Sequence, residues 1–327
     1  MRGALILLSL LFAATLQAAD DPDQLRLAAE YPVDGMPQGN LSGLSLCSGE
    51  LLAVSDRVDN QLYRLKPIGG VLQARTEPFL APPAPPSNLP WGVRTRAWVI
   101  GLLRGNELDF EGISCDAAGN RYLVSETHAA VLQVPLAGEP NWLLLPGSLV
   151  RQARASGMLL HFNALLEGIA IDPKGERLWL AAERERRGLT VLHKQQSIWR
   201  CSGSCVIFSE AGTERPPAPV GSEQQMPRDF SDVAFLDEKL FTLERLAHQI
   251  CRRKPSNGEV ERCWSFAEEA LADTRRYSVP FGVAEALSID AEGAWIGLDN
   301  GGKARGDGER RPIVWRFSAP KGGWGAK

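Results

Sequence analysis

Apolar and polar positions alternate in short runs along most of the chain, and this period of two is typical of β-strands. Turns rich in Gly, Asp, Asn and Pro separate the runs, as at residues 116–120 and 172–175. Segments with helical periodicity are scarce. The pattern therefore predicts an all-β fold of strands joined by tight turns, rather than a two-domain α/β protein.

One strand–turn–strand pattern recurs five times along the chain. Each copy begins with a Ser or Glu, which we call the inner marker; the five are Ser42, Glu111, Glu167, Ser231 and Glu285. Each second strand ends in a carboxylate, which we call the outer acid; the five are Asp56, Glu126, Glu183, Glu244 and Asp299. Marker and acid lie 13 to 16 residues apart in every copy, which indicates one repeated unit.

A repeated β unit of this kind is typical of a β-propeller, in which each blade has four strands. We expect five blades, closed by an N-terminal strand within residues 24–31, although a sixth blade around residues 198–208 is an alternative. An antiparallel hairpin returns to the end where it began. The inner markers would therefore ring the central channel, and the outer acids would form a wider ring around the same mouth.

The N-terminus has the features of a signal peptide, with Arg2 before an apolar run and small residues near position 19. The apolar run is shorter than the roughly 20 residues that a spanning helix needs. We therefore expect residues 1–19 to be removed and residues 20–327 to form one domain, periplasmic or secreted and without a membrane span.

Six cysteines in an exported chain indicate disulfides rather than a zinc site, since no paired C-x-x-C spacing is present. Cys201 and Cys205 flank a short turn, and Cys251 and Cys263 flank a hairpin turn. The remaining pair is Cys47 with Cys115, which the repeat places at similar positions in neighbouring units.

The formal net charge is −3 and no basic stripe is present, which argues against nucleic-acid binding. We expect a monomer. The sequence contains no G-x-S-x-G elbow, P-loop or H-E-x-x-H motif, so these routes to hydrolysis are not supported.

Three of the inner markers are carboxylates, and like charges that converge on one axis repel each other unless a positive charge lies between them. Ca²⁺ accepts irregular shells of oxygen ligands, so the pattern predicts a calcium site formed by all five markers. Two alternatives remain: the markers hydrogen-bond strand edges without converging, or they form a substrate site without a cation.

Arginines directly follow three outer acids, and they are Arg57, Arg184 and Arg245. They either pair with acids between blades or bind an anionic substrate, because guanidinium groups bind phosphate and carboxylate in a bidentate way. Glu126, Glu183, Glu244 and His128 are candidates for a general base.

The segments 109–113 with 122–126, and 166–170 with 179–183, resemble the phytase-like family, also described as the "esterase-like activity of phytase" domain. The resemblance covers about residues 43–317, and it implies an exported propeller that hydrolyses phosphate esters or related esters. The order of the inner markers is also similar to the calcium-binding ring of the calcium-activated nucleotidases (apyrases), which are five-bladed propellers. Nothing in the sequence resembles the nucleotide-contacting residues of that group.

These observations predict a calcium-binding hydrolase that acts on an anionic small molecule or an ester at the channel mouth. The alternative is a binding propeller without catalytic activity, which recognises an anionic ligand or a protein partner and whose cation is structural. A ring with a structural role alone is the third interpretation.

Overall fold

The computed structural model describes residues 22–37, 40–104, 107–162, 164–219, 224–279 and 282–326. The expected signal peptide lies outside these residues. No helix within the described ranges is long and apolar enough to cross a membrane.

The elements follow one another in chain order. The first part of the chain contains β1 (Asp23–Gln24), β2 (Leu27–Asp34), β3 (Gly43–Cys47), β4 (Glu50–Val54), β5 (Gln61–Ile68), β6 (Val71–Pro78) and α1 (Trp91–Arg104). The middle part contains β7 (Phe110–Cys115), β8 (Arg121–Ser125), β9 (Ala130–Val134), β10 (Asn141–Trp142), α2 (Ser148–Ala155), β11 (Leu166–Ile171), β12 (Arg177–Ala182), β13 (Arg186–Gln195), β14 (Ile198–Arg200) and β15 (Val206–Ala211). The last part contains β16 (Thr213–Glu214), β17 (Met226–Pro227), β18 (Asp232–Leu236), β19 (Lys239–Glu244), β20 (Gln249–Arg253), β21 (Val260–Ser265), α3 (Ala267–Ala270), β22 (Ala284–Asp290), β23 (Gly293–Leu298) and β24 (Ile313–Ser318).

The strands form five blades around a channel, as the repeat predicts. Blades 1 to 4 begin with β3, β7, β11 and β18, and blade 5 begins with β22. Each of these innermost strands packs against the next, and β22 packs against β3, so the ring is closed. The sixth-blade alternative is not realised, because β14 and β15 both pair with β13 as outer strands of blade 3.

The N-terminal strand closes the propeller, as expected. The strand β2 pairs antiparallel with β24 and so completes blade 5. It also pairs in parallel with β6 of blade 1, which connects the first and last blades. The core lies between neighbouring blades: Phe241 and Trp264 of blade 4, for example, belong to the same buried cluster as Ile296 and Trp315 of blade 5.

The glycine that follows the inner marker in blades 1 to 3 has a steric cause. A Cβ added to Gly43 would lie 2.8 Å from the Cα of Gly112, and one added to Gly112 would lie 2.7 Å from the carbonyl oxygen of Glu167. Neighbouring innermost strands therefore approach too closely for most side chains at this position. Blade 4 has Asp232 there, and its carboxylate accepts a hydrogen bond from the backbone N–H of Leu287 at 2.7 Å.

All three expected disulfides are present, and they join Cys47 to Cys115, Cys201 to Cys205 and Cys251 to Cys263. The first bond joins the last residues of β3 and β7, at the end of the channel opposite the inner markers. Disulfides are typical of proteins in oxidising compartments, which fits an extracellular protein.

Candidate functional site

The inner markers lie where the innermost strands begin. The pairing of the first two strands shifts register at Glu111, Glu167 and Glu285, so each glutamate occupies a β-bulge, which redirects a side chain out of the regular pleat. Ser42 and Ser231 directly precede β3 and β18 and are buried.

The outer acids lie at the same mouth. Glu244 is the last residue of β19, and the other four outer acids follow the second strand of their blade within two residues. Ser42 connects the two rings in blade 1, because its Oγ accepts a hydrogen bond from the backbone N–H of Asp56 at 3.0 Å. The two-ring arrangement expected from the hairpin geometry is therefore present.

Arg245 is buried among carboxylates from three blades, with 6% of its surface exposed. Its Nη2 lies 2.8 Å from Oε1 of Glu183, its Nε lies 3.0 Å from Oδ2 of Asp229, and its Nη1 contacts Oε1 of Glu285. Although burial opposes the charge, these three carboxylates raise the pKa of Arg245 well above its usual value. The guanidinium is therefore a permanent internal counter-charge on this side of the mouth.

Glu244 lies in a second buried ion-pair network. Its Oε1 accepts a hydrogen bond from Nη2 of Arg253 at 2.6 Å, and its Oε2 accepts bonds from Arg187 and Gln249, both at 2.9 Å. Although burial disfavours a charged carboxylate, the two arginines hold the pKa of Glu244 below its ordinary value. Both oxygens are engaged, and this geometry suits an inter-strand structural role better than proton transfer.

Asp56, Asp109 and Glu111 form a carboxylate cluster between blades 1 and 2. One ligand oxygen from each residue lies within 4.8 Å of the other two. Burial, followed by the charges of neighbouring carboxylates including Asp109 and Asp56, raises the pKa of Glu111 well above its ordinary value. A cation at this position would remove the repulsion that opposes ionisation of Glu111.

Asp109 and Asp229 belong to neither of the two rings that the sequence pattern predicts. Both lie two residues before an inner marker, in the related segments Asp109-Phe110 and Asp229-Phe230. Extending the alignment of the repeats by two residues towards the N-terminus would have found them. Asp109 has a positive φ of 54°. Its backbone N–H donates to Oδ1 of Asp59 at 3.2 Å, which fixes the loop that leads into β7.

Among the described residues, Glu111, Glu167 and Glu285 do not form a group whose carboxylate oxygens all lie within 4.8 Å of one another. Within the part of the chain that the structure describes, Glu111 is the marker that contributes to the three-carboxylate group. Burial raises the pKa of Glu167 well above its ordinary value, and the charges of Glu183 and Glu126 raise it further. Burial also raises the pKa of Glu285, although Arg245 opposes this shift.

The other two arginines of the outer ring are more accessible. Nε of Arg57 lies 3.2 Å from Oδ2 of Asp56, and 39% of the Arg57 side chain is exposed. Arg184 contacts Oε1 of Glu183 through its Nη1, and 32% of its side chain is exposed. Both side chains therefore keep accessible surface, in contrast to Arg245.

Glu126 and His128 lie at the mouth of blade 2. Oε1 of Glu126 accepts a hydrogen bond from the backbone N–H of Leu165 at 3.2 Å. Nδ1 of His128 lies 3.4 Å from Oγ of Ser125, and burial lowers the pKa of the imidazole below its usual value of 6.5. His128 is therefore neutral at pH 7 and able to accept a proton.

Solved structures of other proteins share the propeller architecture. The chain is similar to Myxococcus xanthus glutaminyl cyclase at 11% identity and a TM-score of 0.50, over 91% of this chain and 97% of that one. It is also similar to the PQQ-bound aldose sugar dehydrogenase of Streptomyces coelicolor at 11% identity and a TM-score of 0.44, over 91% of this chain and 98% of that one. The first similarity supports the fold alone, and the second is too low to support any conclusion about this chain.

No curated protein matches this sequence. The model of the phytase-like family, described as "Esterase-like activity of phytase", matches residues 36–254, which include four of the five innermost strands. This span is more than half of the chain and contains the carboxylate cluster and the three outer arginines. The chain therefore belongs to the phytase-like family.

Proposed function

We propose that this protein is an exported, calcium-binding hydrolase that acts on phosphate esters or related esters at the channel mouth. The observation that supports it most directly is the cluster of Asp56, Asp109 and Glu111, in which Asp56 pairs with the partly exposed Arg57. Arg184 and His128 lie at the same mouth, in blades 3 and 2. Export is supported by the three disulfides and by the signal-like N-terminal sequence.

The donor set fits Ca²⁺. All three groups are carboxylates, which are the ligands that this hard cation prefers. A bound Ca²⁺ would supply Lewis-acid polarisation of an ester or phosphoryl oxygen. Because the pKa of Glu111 is raised by burial and by neighbouring carboxylates, calcium binding should release protons at any pH where Glu111 is protonated.

The remaining roles belong to residues at the same mouth. Arg57 and Arg184 would hold the anionic part of the substrate, since each retains accessible side-chain surface. His128 or Glu126 would accept the proton of the attacking water. Arg245 would act indirectly, because it contacts Glu183 and Glu285 and opposes the rise in pKa that burial causes in both carboxyls.

Turnover of p-nitrophenyl phosphate and p-nitrophenyl acetate, with Ca²⁺ and then with EGTA, tests this proposal. Asp109→Asn and His128→Asn should each reduce kcat/KM about 100-fold or more, with the fold retained by circular dichroism. Asp237→Asn and His193→Asn are matched controls, because both residues lie towards the opposite end of their blades.

The pH profile gives a second check on the base. Because the pKa of His128 lies below 6.5, kcat/KM should rise as the pH passes through that pKa and should reach its plateau by neutral pH. If neither substrate is hydrolysed under any of these conditions, the hydrolase proposal is wrong, and the binding propeller becomes the better account.

A further inference from the structure

A cleft of about 960 Å³ opens on the mouth side of blades 1 and 2. The loops after the outer acids of these two blades form one wall, through Asp59 and His128. The opposite wall is formed by part of the insertion between β6 and β7, namely the proline-rich loop at residues 80–87 and the start of α1.

The cleft adjoins the carboxylate cluster through two shared loops. Asp59 lines the cleft, and its carboxylate accepts hydrogen bonds from the backbone N–H groups of Glu107 at 2.6 Å and Asp109 at 3.2 Å. Leu108 lines the cleft and directly precedes Asp109 of the cluster. A substrate whose reacting group lies at the cluster would therefore place its other end in this cleft.

Exposed apolar side chains line part of the cleft. Leu80 and Trp91 are 81% and 75% exposed, and both line this cleft. Prolines form much of the intervening loop, and Nε1 of Trp142 in blade 2 donates to the carbonyl oxygen of Pro82 at 2.9 Å. The loop is therefore anchored to the propeller, and it presents rigid apolar surface suited to a planar or aromatic group.

The charge of the lining disfavours a polyanion. The charged residues are Asp59, Glu107 and Arg94, and His128 is neutral at pH 7, so the lining carries more negative than positive charge. A ligand with many phosphate groups would be repelled here, whereas a single phosphate or carboxylate ester would meet this repulsion at one position only.

We propose that this cleft binds the organic part of the substrate, and that it selects singly esterified substrates with an aromatic or apolar group over polyphosphorylated ones. The inference rests on the proposed hydrolase function, because it assigns a substrate class to the same mouth. It makes Trp91 and Leu80 specificity-determining residues.

Equilibrium binding tests the cleft independently of turnover. In calorimetric titrations with Ca²⁺ present, the non-hydrolysable phenylphosphonate should bind at least about tenfold more tightly than methylphosphonate, because burial of the phenyl ring is favourable. It should also bind more tightly than myo-inositol hexakisphosphate. The combined variant Trp91→Ala, Leu80→Ser should reduce the advantage of the phenyl group to less than about threefold.

Ile68→Ser is the matched control, since Ile68 is an exposed apolar residue at the β5–β6 turn outside the cleft, and it should leave the phenyl advantage unchanged. Equal binding of the two phosphonates, tighter binding of the hexakisphosphate, or an unchanged advantage in the double variant would each overturn the inference. A phenyl advantage without hydrolysis of any ester would retain the cleft as a binding site and reject the hydrolase function.

Discussion

Asp109 and Asp229 occupy equivalent positions, two residues before the inner markers of blades 2 and 4, yet their surroundings differ. Asp229 accepts a hydrogen bond from Nε of Arg245, the residue directly after the outer acid of its blade. The residue after the outer acid of blade 2 is Thr127, which carries no charge. Asp109 instead lies within a group of three carboxylates.

The difference shows two ways to balance negative charge in a propeller channel. On the side of blades 3 to 5, a covalently attached guanidinium lies among the carboxylates. On the side of blades 1 and 2, three carboxylates converge, and we propose that a cation taken from solution balances their charge. Because a cation would balance the converging carboxylates, we expect the second side to respond to calcium and the first side not to.

Replacement of Arg245 should produce the largest loss of stability. Arg245→Met leaves three carboxylates without their shared counter-charge, and loss of one partner from a buried ion-pair network costs about 3–5 kcal/mol. Urea denaturation with and without Ca²⁺ measures the effect. The loss should persist at saturating Ca²⁺, because the proposed calcium site lies on the other side of the mouth. Complete rescue by Ca²⁺ would contradict the proposed difference between the two sides.

Asp299 should contribute to the pH dependence of stability in EGTA, together with other buried carboxyls such as Glu285. Burial raises the pKa of Asp299 from 3.8 to about 6, so the folded protein holds a proton in this range that the unfolded chain has released. Stability should therefore fall as the pH rises from about 4 to 6, by up to about 3 kcal/mol.

Asp299→Asn should flatten that part of the pH profile, and the exposed Asp237→Asn should not change it. Urea midpoints at half-unit intervals of pH provide the measurement. An identical slope in Asp299→Asn and in the unmodified protein would show that the pH response originates elsewhere.

The exposed arginine of the calcium side should matter least for stability. Arg57→Met removes a partly exposed ion pair with Asp56 and should cost at most about 1 kcal/mol, with a smaller effect at high salt. Chemical denaturation at low and high ionic strength gives the comparison with Arg245→Met. A loss as large as that of Arg245→Met would mean that the two sides of the mouth do not differ in the way described.

The sequence was sufficient to predict most of the fold. The regular spacing between marker and acid identified five hairpins, and tight Asp/Gly turns made their antiparallel geometry predictable. The three disulfide pairs followed from the same repeat and from local turns. The helix α1 was not predicted, because it lies in an insertion without a counterpart in the other blades.

The site was less predictable, because it depends on how far side chains extend between blades. The sequence places Arg57, Arg184 and Arg245 in equivalent positions, yet one is buried among three acids and two keep exposed surface. The β-bulge at Glu111 and the positive φ of Asp109 also decide which carboxylates meet. These features depend on tertiary packing rather than on a local pattern.

The most direct test of the calcium side is thermal unfolding in EGTA and in excess Ca²⁺ for the unmodified protein, Asp109→Asn and Asp229→Asn. At a Ca²⁺ concentration 100 times its Kd, the unmodified protein should gain about 2.7 kcal/mol of stability. Asp109→Asn should lose this gain, whereas Asp229→Asn should be less stable in both conditions and keep it. The absence of a gain in the unmodified protein, or an equal gain in Asp109→Asn, would contradict the assignment of the calcium site to Asp56, Asp109 and Glu111.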